Sequence, residues 1–302
     1  VSAMAFHPNG QQLVIGGYHE LTVWDPRDGN LLQRIKNITR RTYGIDFNSD
    51  GSLLAVGGGV PGRSGEVRLL NPVDGTEVKL LGTTVNVIFD VAFRPDGTKL
   101  AAGCADRTVH VYDVETGDEE LVVEHHFDSI MAVTWTPDGS KIVSASRDTS
   151  AKVTDLESGE LVATYTDHPQ PLYDVAVQAD GKHVFSSGGD DKIHLWVIEE
   201  GTTKQVAVLD GFGGDVFDLA LVDGQLYSSC ADKSARQHTV DNRAQIRSFP
   251  DHSDWVYSLA VHTESKRLAT GCYDGQVRVW NLEDGTVVTT FHAAPGLDVA
   301  GK

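Results

Sequence analysis

The sequence repeats itself every 42 residues, and that period constrains the fold more than any other feature. Equivalent positions fall at Leu70, Tyr112, Thr154, Trp196, His238 and Trp280, each 42 residues after the last, with an earlier copy at Trp24, 46 residues before Leu70. The surrounding text recurs with them: LTVWDPRDG, VRLLNPVDG, VHVYDVETG, AKVTDLESG, IHLWVIEEG and VRVWNLEDG. Within one unit, SIMAVTW, SKIVSAS, SAKVTDL and LVATYT are short alternating apolar runs separated by PDG, RDT and ESGE. Such runs read as strands, and the Asp-Gly and Ser-Gly pairs supply the positive φ that tight hairpins need. A unit of 40–45 residues with four strands cannot bury both faces alone, so its copies pack side by side around an axis. Seven copies fill the 302 residues. This predicts an all-β chain, a seven-bladed β-propeller of four-stranded antiparallel blades over 1–292, followed by a tail, 293–302.

Three irregularities interrupt the pattern. Blade 2 carries about four extra residues in GGGVPGRSGE (Gly57–Glu66), between its second and third strands. Neither GK[ST] nor a helix start follows these glycines, so a phosphate cradle is missing its mechanism and a flexible surface loop is expected. Blade 6 has lost its third-turn glycine, with Asp241-Asn242-Arg243 there, and blade 7 its first, at Glu264-Ser265. The chain starts on the innermost strand of blade 1 and reaches the outermost strand of blade 7 without an evident strand exchange, although the tail GLDVA resembles a first strand.

Composition narrows the function classes. A net charge of −18 repels phosphate backbones, and nucleic-acid binders usually carry a basic face, so no nucleic-acid partner is expected. No run of 18 apolar residues occurs, which excludes a spanning helix, and no signal-peptide pattern opens the chain. A soluble, cytoplasmic protein is the default expectation. Because the first residue is Val1 rather than Met, export within a longer precursor stays open.

The residues that could carry chemistry fall in phase with the repeat. Cys104, Cys230 and Cys272 occupy one equivalent site, filled by Ser146 and Gly188 in blades 4 and 5, as a small buried position would be. Their odd number without a CxxC gives neither a disulfide framework nor a zinc site. His110 and His194 share a third-strand position held elsewhere by Arg68, Lys152, Arg236 and Arg278, so they read as a polar-facing site rather than a ligand set. Neither CxxCH nor HExxH occurs. No metal, cofactor or catalytic residue is expected.

With these motifs the chain resembles a WD40-repeat protein over essentially its whole length, bacterial members included. The Trp-Asp pair survives at Trp24-Asp25, with Tyr112-Asp113 and Trp280-Asn281 as variants. The resemblance implies that blades are pinned by a hydrogen-bonded chain of His, Ser or Thr, Asp and Trp. Blade 5 matches throughout, with His168, Ser186, Asp190 and Trp196, and so does blade 7, with His252, Thr270, Asp274 and Trp280. Blade 4 has His126, Ser144 and Asp148 but Thr154 for Trp, while blade 6 has Asp210 for His and His238 for Trp. A hydrolase triad is rejected, because a catalytic set occurs once whereas this one recurs with the blades.

In this family the loops before the first strand and between the second and third share one rim, called the top. Aligned first strands put Ser2, Tyr43, Phe89, Met131, Tyr173, Phe217 and Tyr257 near it, five of them aromatic, as interface anchors often are. Trp255 lies beside them, as do Arg40 and Arg41 on blade 2. Capping of the packing between blades is the plainer reading of the same aromatics. The function expected is a non-catalytic interaction scaffold that binds protein or peptide partners at this rim. Two alternatives stand beside it. Some bacterial proteins resembling this one are propeller modules of larger redox chains with c-type cytochrome domains. A propeller enzyme or metal-dependent lyase would need out-of-phase His, Asp or Glu on the central channel.

Overall fold

The structure, a computed structural model, describes residues 1–199 and 201–294. The described residues form 27 strands and no helix, and hence no helix long and apolar enough to cross a membrane. Blades 3 to 7 are separate four-stranded antiparallel sheets whose strands follow chain order, as hairpin connections dictate. In blade 4, for example, Ile130–Trp135, Lys141–Ser146, Ala151–Asp155 and Leu161–Tyr165 run from the axis outward.

Turn chemistry sets these hairpins. The anticipated turn glycines, such as Gly97 (φ 73°) and Gly139 (φ 67°), take the left-handed conformation. Where the repeat has lost a glycine, Arg243 (φ 62°) and Lys266 (φ 54°) adopt it instead, a strained choice for a side chain with a Cβ.

Blades 1 and 2 form one seven-stranded sheet. The strand Leu31–Phe47 is long enough to serve both. Its first half pairs with Tyr18–Trp24 as the outer edge of blade 1, and its second half pairs with Leu54–Val60 as the innermost strand of blade 2. The extra residues of blade 2 are no flexible loop. They lengthen the hairpin Leu54–Val60 to Ser64–Leu70, which stays paired up to Val60 and Ser64. The glycines are there for close approach: a Cβ on Gly58 would lie 2.1 Å from the Arg41 carbonyl, and one on Gly65 would lie 2.1 Å from that of Asn86.

The core lies between blades. One cluster joins Leu69 and Leu81 of blade 2 to Phe93 and Leu100 of blade 3, and another joins Val153 and Tyr165 of blade 4 to Leu172 and Val184 of blade 5. The ring closes in the same way, by packing rather than strand exchange among the described residues. Met4, Phe6 and Trp24 of blade 1 share a cluster with Ala260, Ala269 and Val277 of blade 7, and Trp24 stacks on Phe291 at 4.3 Å. Three hydrogen bonds cross the seam, from the Val1 amino group to the Cys272 carbonyl (2.7 Å), from Ser258 Oγ to the Val1 carbonyl (3.4 Å) and between His262 Nε2 and the Pro8 carbonyl (2.8 Å). The segment GLDVA lies outside the described residues.

Candidate functional site

Because every blade starts on the axis, one residue from each first strand can meet the others. Ser2, Tyr43, Phe89, Met131, Tyr173, Phe217 and Tyr257 line a single cavity of about 210 Å³ at the centre of the ring. Their rings lean on one another, Tyr43 on Phe89 at 5.3 Å, Tyr173 on Phe217 at 5.6 Å and Phe217 on Tyr257 at 4.7 Å. Tyr257 keeps 36% of its surface exposed and Trp255, packed 6.1 Å from Phe217, keeps 47%. Arg41 sits over the Tyr43 ring at 5.6 Å. Arg40 turns away from the cavity, and its Nε donates to the Tyr18 hydroxyl at 2.8 Å. Of the residues placed at the rim by the sequence, Trp255, Arg40 and Arg41 therefore flank the cavity rather than line it.

One group of residues went unrecognised in the sequence. Asp90, Asp174 and Asp218 also line the cavity, one position after the aromatics. Each lies on the boundary with the next blade and accepts a backbone N–H from that blade's first strand: Val133 to Asp90 (2.9 Å), Leu219 to Asp174 (2.6 Å) and Leu259 to Asp218 (2.7 Å). Asp46, two positions further along its strand, does the same for Phe93 at 2.7 Å. Burial pushes these carboxyls up against the pull of the amides, Asp46 to about 7, Asp90 to about 8 and Asp218 to about 6. Asp174, desolvated and next to Asp218, is also raised well above the usual range. The signal was present as an acid inside the apolar first strands FDVAF, YDVAV and FDLAL, again in phase.

The blade-pinning sets divide. In blade 5 the chain is complete: Trp196 Nε1 donates to Ser186 Oγ (3.1 Å), Ser186 bonds His168 Nε2 (2.9 Å), and His168 Nδ1 meets Asp190 Oδ2 (2.9 Å). In blade 4, His126 joins Ser144 (2.8 Å) to Asp148 (2.9 Å) without a Trp. Burial lowers both imidazoles. It acts to raise Asp148 and Asp190, yet their hydrogen bonds outweigh it and hold both carboxyls below the usual range. Blade 7 departs from expectation. Trp280 (2.9 Å) and His252 Nε2 (2.8 Å) meet on Thr270, but His252 Nδ1 bonds the Lys233 carbonyl (3.1 Å), and Asp274 is left out of the chain. Backbone from the neighbouring blade has taken the carboxylate's place.

The third-strand histidines do have titratable neighbours: His194 stacks on His168 at 3.7 Å with its Nε2 3.3 Å from Asp190 Oδ2, and His110 lies near Cys104 and Asp106.

Comparison with known proteins agrees with this architecture. The family model described as WD domain, G-beta repeat matches residues 75–113, 117–155, 159–197 and 243–281, together just over half of the chain. Mouse coronin-7 is 32% identical over 97 residues, 30% of this chain and 10% of coronin-7. The WD repeat-containing protein SL1-17 of Schistosoma mansoni is 27% identical over 106 residues, 35% of this chain and 34% of that protein. The probable serine/threonine-protein kinase PkwA of Thermomonospora curvata is 40% identical over 62 residues, 20% of this chain and 8% of the kinase. This chain therefore matches no more than about a third of the length of any of these three relatives.

Proposed function

This chain belongs to the WD40 family, whose repeats serve in general as protein-interaction scaffolds without catalytic roles, and we propose that it binds a protein or peptide segment at the mouth of its central cavity. One observation supports this most. Seven residues, one from each blade, converge on one cavity, and five of them are aromatic. Aromatic rings bring large contact area with few torsions to freeze. Here they already rest on one another, so a partner need not order them on binding. The exposed Trp255 extends the apolar surface beyond the cavity. Arg41, over Tyr43, gives the rim one basic corner, and Asp215, which accepts the Tyr173 hydroxyl at 3.0 Å, gives it an acidic one, a difference that orients a bound chain.

The test compares affinity capture by the native protein with capture by a Tyr43→Ala, Tyr173→Ala, Trp255→Ala triple variant. Circular dichroism first establishes that both are folded. A partner held by the native protein and lost from the variant supports the rim as the site. Equal capture by both would move the site to another face.

A further inference from the structure

The wall of the central cavity changes character along the first strands. Next to its aromatic positions comes an acidic step, with Asp90, Asp174 and Asp218 from blades 3, 5 and 6. At that step the other four blades carry Ala3, Gly44, Ala132 and Ser258, side chains too short to fill the axis. Close packing demands the smallest of them, since a Cβ on Gly44 would lie 2.8 Å from the Asp90 Cα. Among the described residues, none that lines the cavity is basic, and Arg41 flanks it from over the Tyr43 ring. Three acids therefore share a space of about 210 Å³ with no counter-charge in its wall.

These carboxylates are held in place by backbone. Asp90 accepts the Val91 amide on Oδ1 and the Val133 amide on Oδ2, both at 2.9 Å. Asp174 accepts those of Val175 (2.7 Å) and Leu219 (2.6 Å) in the same way. A carboxylate offers about four lone-pair sites, so each keeps acceptor capacity for a further donor, and both residues retain accessible surface. Burial pushes all three acids up, and a cation placed among them would draw them back toward the ionised form. A bare ion suits this setting poorly, because amides at separate blade boundaries tie the carboxylates and keep them from closing on it. A cation carried on an apolar stem suits it well. Its head would pair with the acids, while its stem and charge would lie along aromatic faces.

We propose that the cavity seats one basic side chain, arginine or lysine, of the bound peptide, with its charge among Asp90, Asp174 and Asp218 and its stem against the aromatic wall. This rests on the reading of the cavity mouth as a peptide site and adds the chemistry of the partner. A water takes about 30 Å³, so the cavity has the volume for a long side chain rather than a single small group. Of the two, arginine gains more here, because its planar guanidinium stacks on rings and can pair with two carboxylate oxygens at once.

The full chain is titrated by calorimetry with three capped pentapeptides, Gly-Ala-X-Ala-Gly, in which X is arginine, lysine or the uncharged citrulline. The arginine probe is expected to bind one equivalent at about 1 mM or tighter, and the citrulline probe at least ~10-fold more weakly, a loss of about 1.4 kcal/mol. Because the acids are raised, arginine binding should also release protons, read as a heat that changes with the buffer. Asp90→Asn and Asp174→Asn each keep an amide acceptor and should weaken the arginine probe at least ~10-fold. Glu157→Gln, which removes the same charge from an exposed turn of blade 4, should not. Equal binding of the arginine and citrulline probes to the native protein, or binding of neither basic probe, overturns the proposal without any variant. The rim itself is judged by the capture experiment, so a partner lost from the triple variant but kept by Asp174→Asn would retain the rim and discard the basic side chain.

Discussion

Blades 5 and 6 are neighbours built on the same 42-residue period, yet they are held together differently. Blade 5 runs one polar chain from Trp196 through Ser186 and His168 to Asp190, with Tyr165 stacked on the indole at 4.9 Å. Blade 6 has His238 where the indole would be, and neither Ser228 Oγ nor His238 Nδ1 finds a protein partner. Its substitutes are the Arg236–Asp232 ion pair and the Arg236 guanidinium over Phe212 at 4.4 Å. The two still fold to the same sheet. Periodic burial of apolar strands therefore sets the blade, and the polar chain adds local stability on top.

Substitutions should separate the two blades. Trp196→Ala is expected to cost about 3–5 kcal/mol in denaturant unfolding, as loss of a fully buried indole does, against about 1 kcal/mol for His238→Ala. Ser186→Ala strands the indole N–H and one imidazole nitrogen and should cost about 2–3 kcal/mol. Ser228→Ala removes a hydroxyl without a protein partner and should stay within about 0.5 kcal/mol of the native protein. Equal losses at the two serines would break the comparison.

The inter-blade carboxylates sharpen it through pH. Asp46 at about 7 and Asp90 at about 8 sit above their unfolded values, so the folded state binds more protons across that interval. Stability from these groups is fully present below about pH 4, where the unfolded carboxyls are also protonated, and is lost progressively as pH rises from there to about 7 for Asp46 and about 8 for Asp90. Asp90→Asn, which mimics the protonated acid, should flatten that slope in urea midpoints measured at successive pH values. An unchanged slope would mean that Asp90 is not protonated at neutral pH. His238 and His252 act oppositely. Burial holds both down at about 4, so their contribution is lost as pH falls from about 6.5 toward 4.

The smallest effect is expected at the partly exposed Glu20–Arg34 pair on blade 1. Arg34→Ala should cost no more than about 0.5 kcal/mol and become neutral in high salt.

Much of this molecule was legible in its residues, unevenly. The hairpin glycines and the blade 5 chain sit at fixed offsets, and local chain geometry delivers them where the offsets imply. The seven first-strand residues were readable for the same reason, since a closed ring turns one aligned column into one circle. Asp274 was misassigned because its rival for His252 is the Lys233 carbonyl, and backbone competes at every position without leaving a mark in the sequence. The inter-blade aspartates were overlooked because their partners are amides of the next blade, 41 to 47 residues away.

By itself, then, the sequence determined the period, the strand and turn alternation, and the number of blades, all of which depend on near neighbours in the chain. Tertiary structure alone decided that Leu31–Phe47 would be shared by two blades, that the ring would close by packing Trp24 on Phe291, and that His194 would meet His168 over Asp190. Those outcomes depend on which backbone and which side chains arrive from elsewhere. Distance through space, unlike spacing along the chain, exists only once the ring has formed.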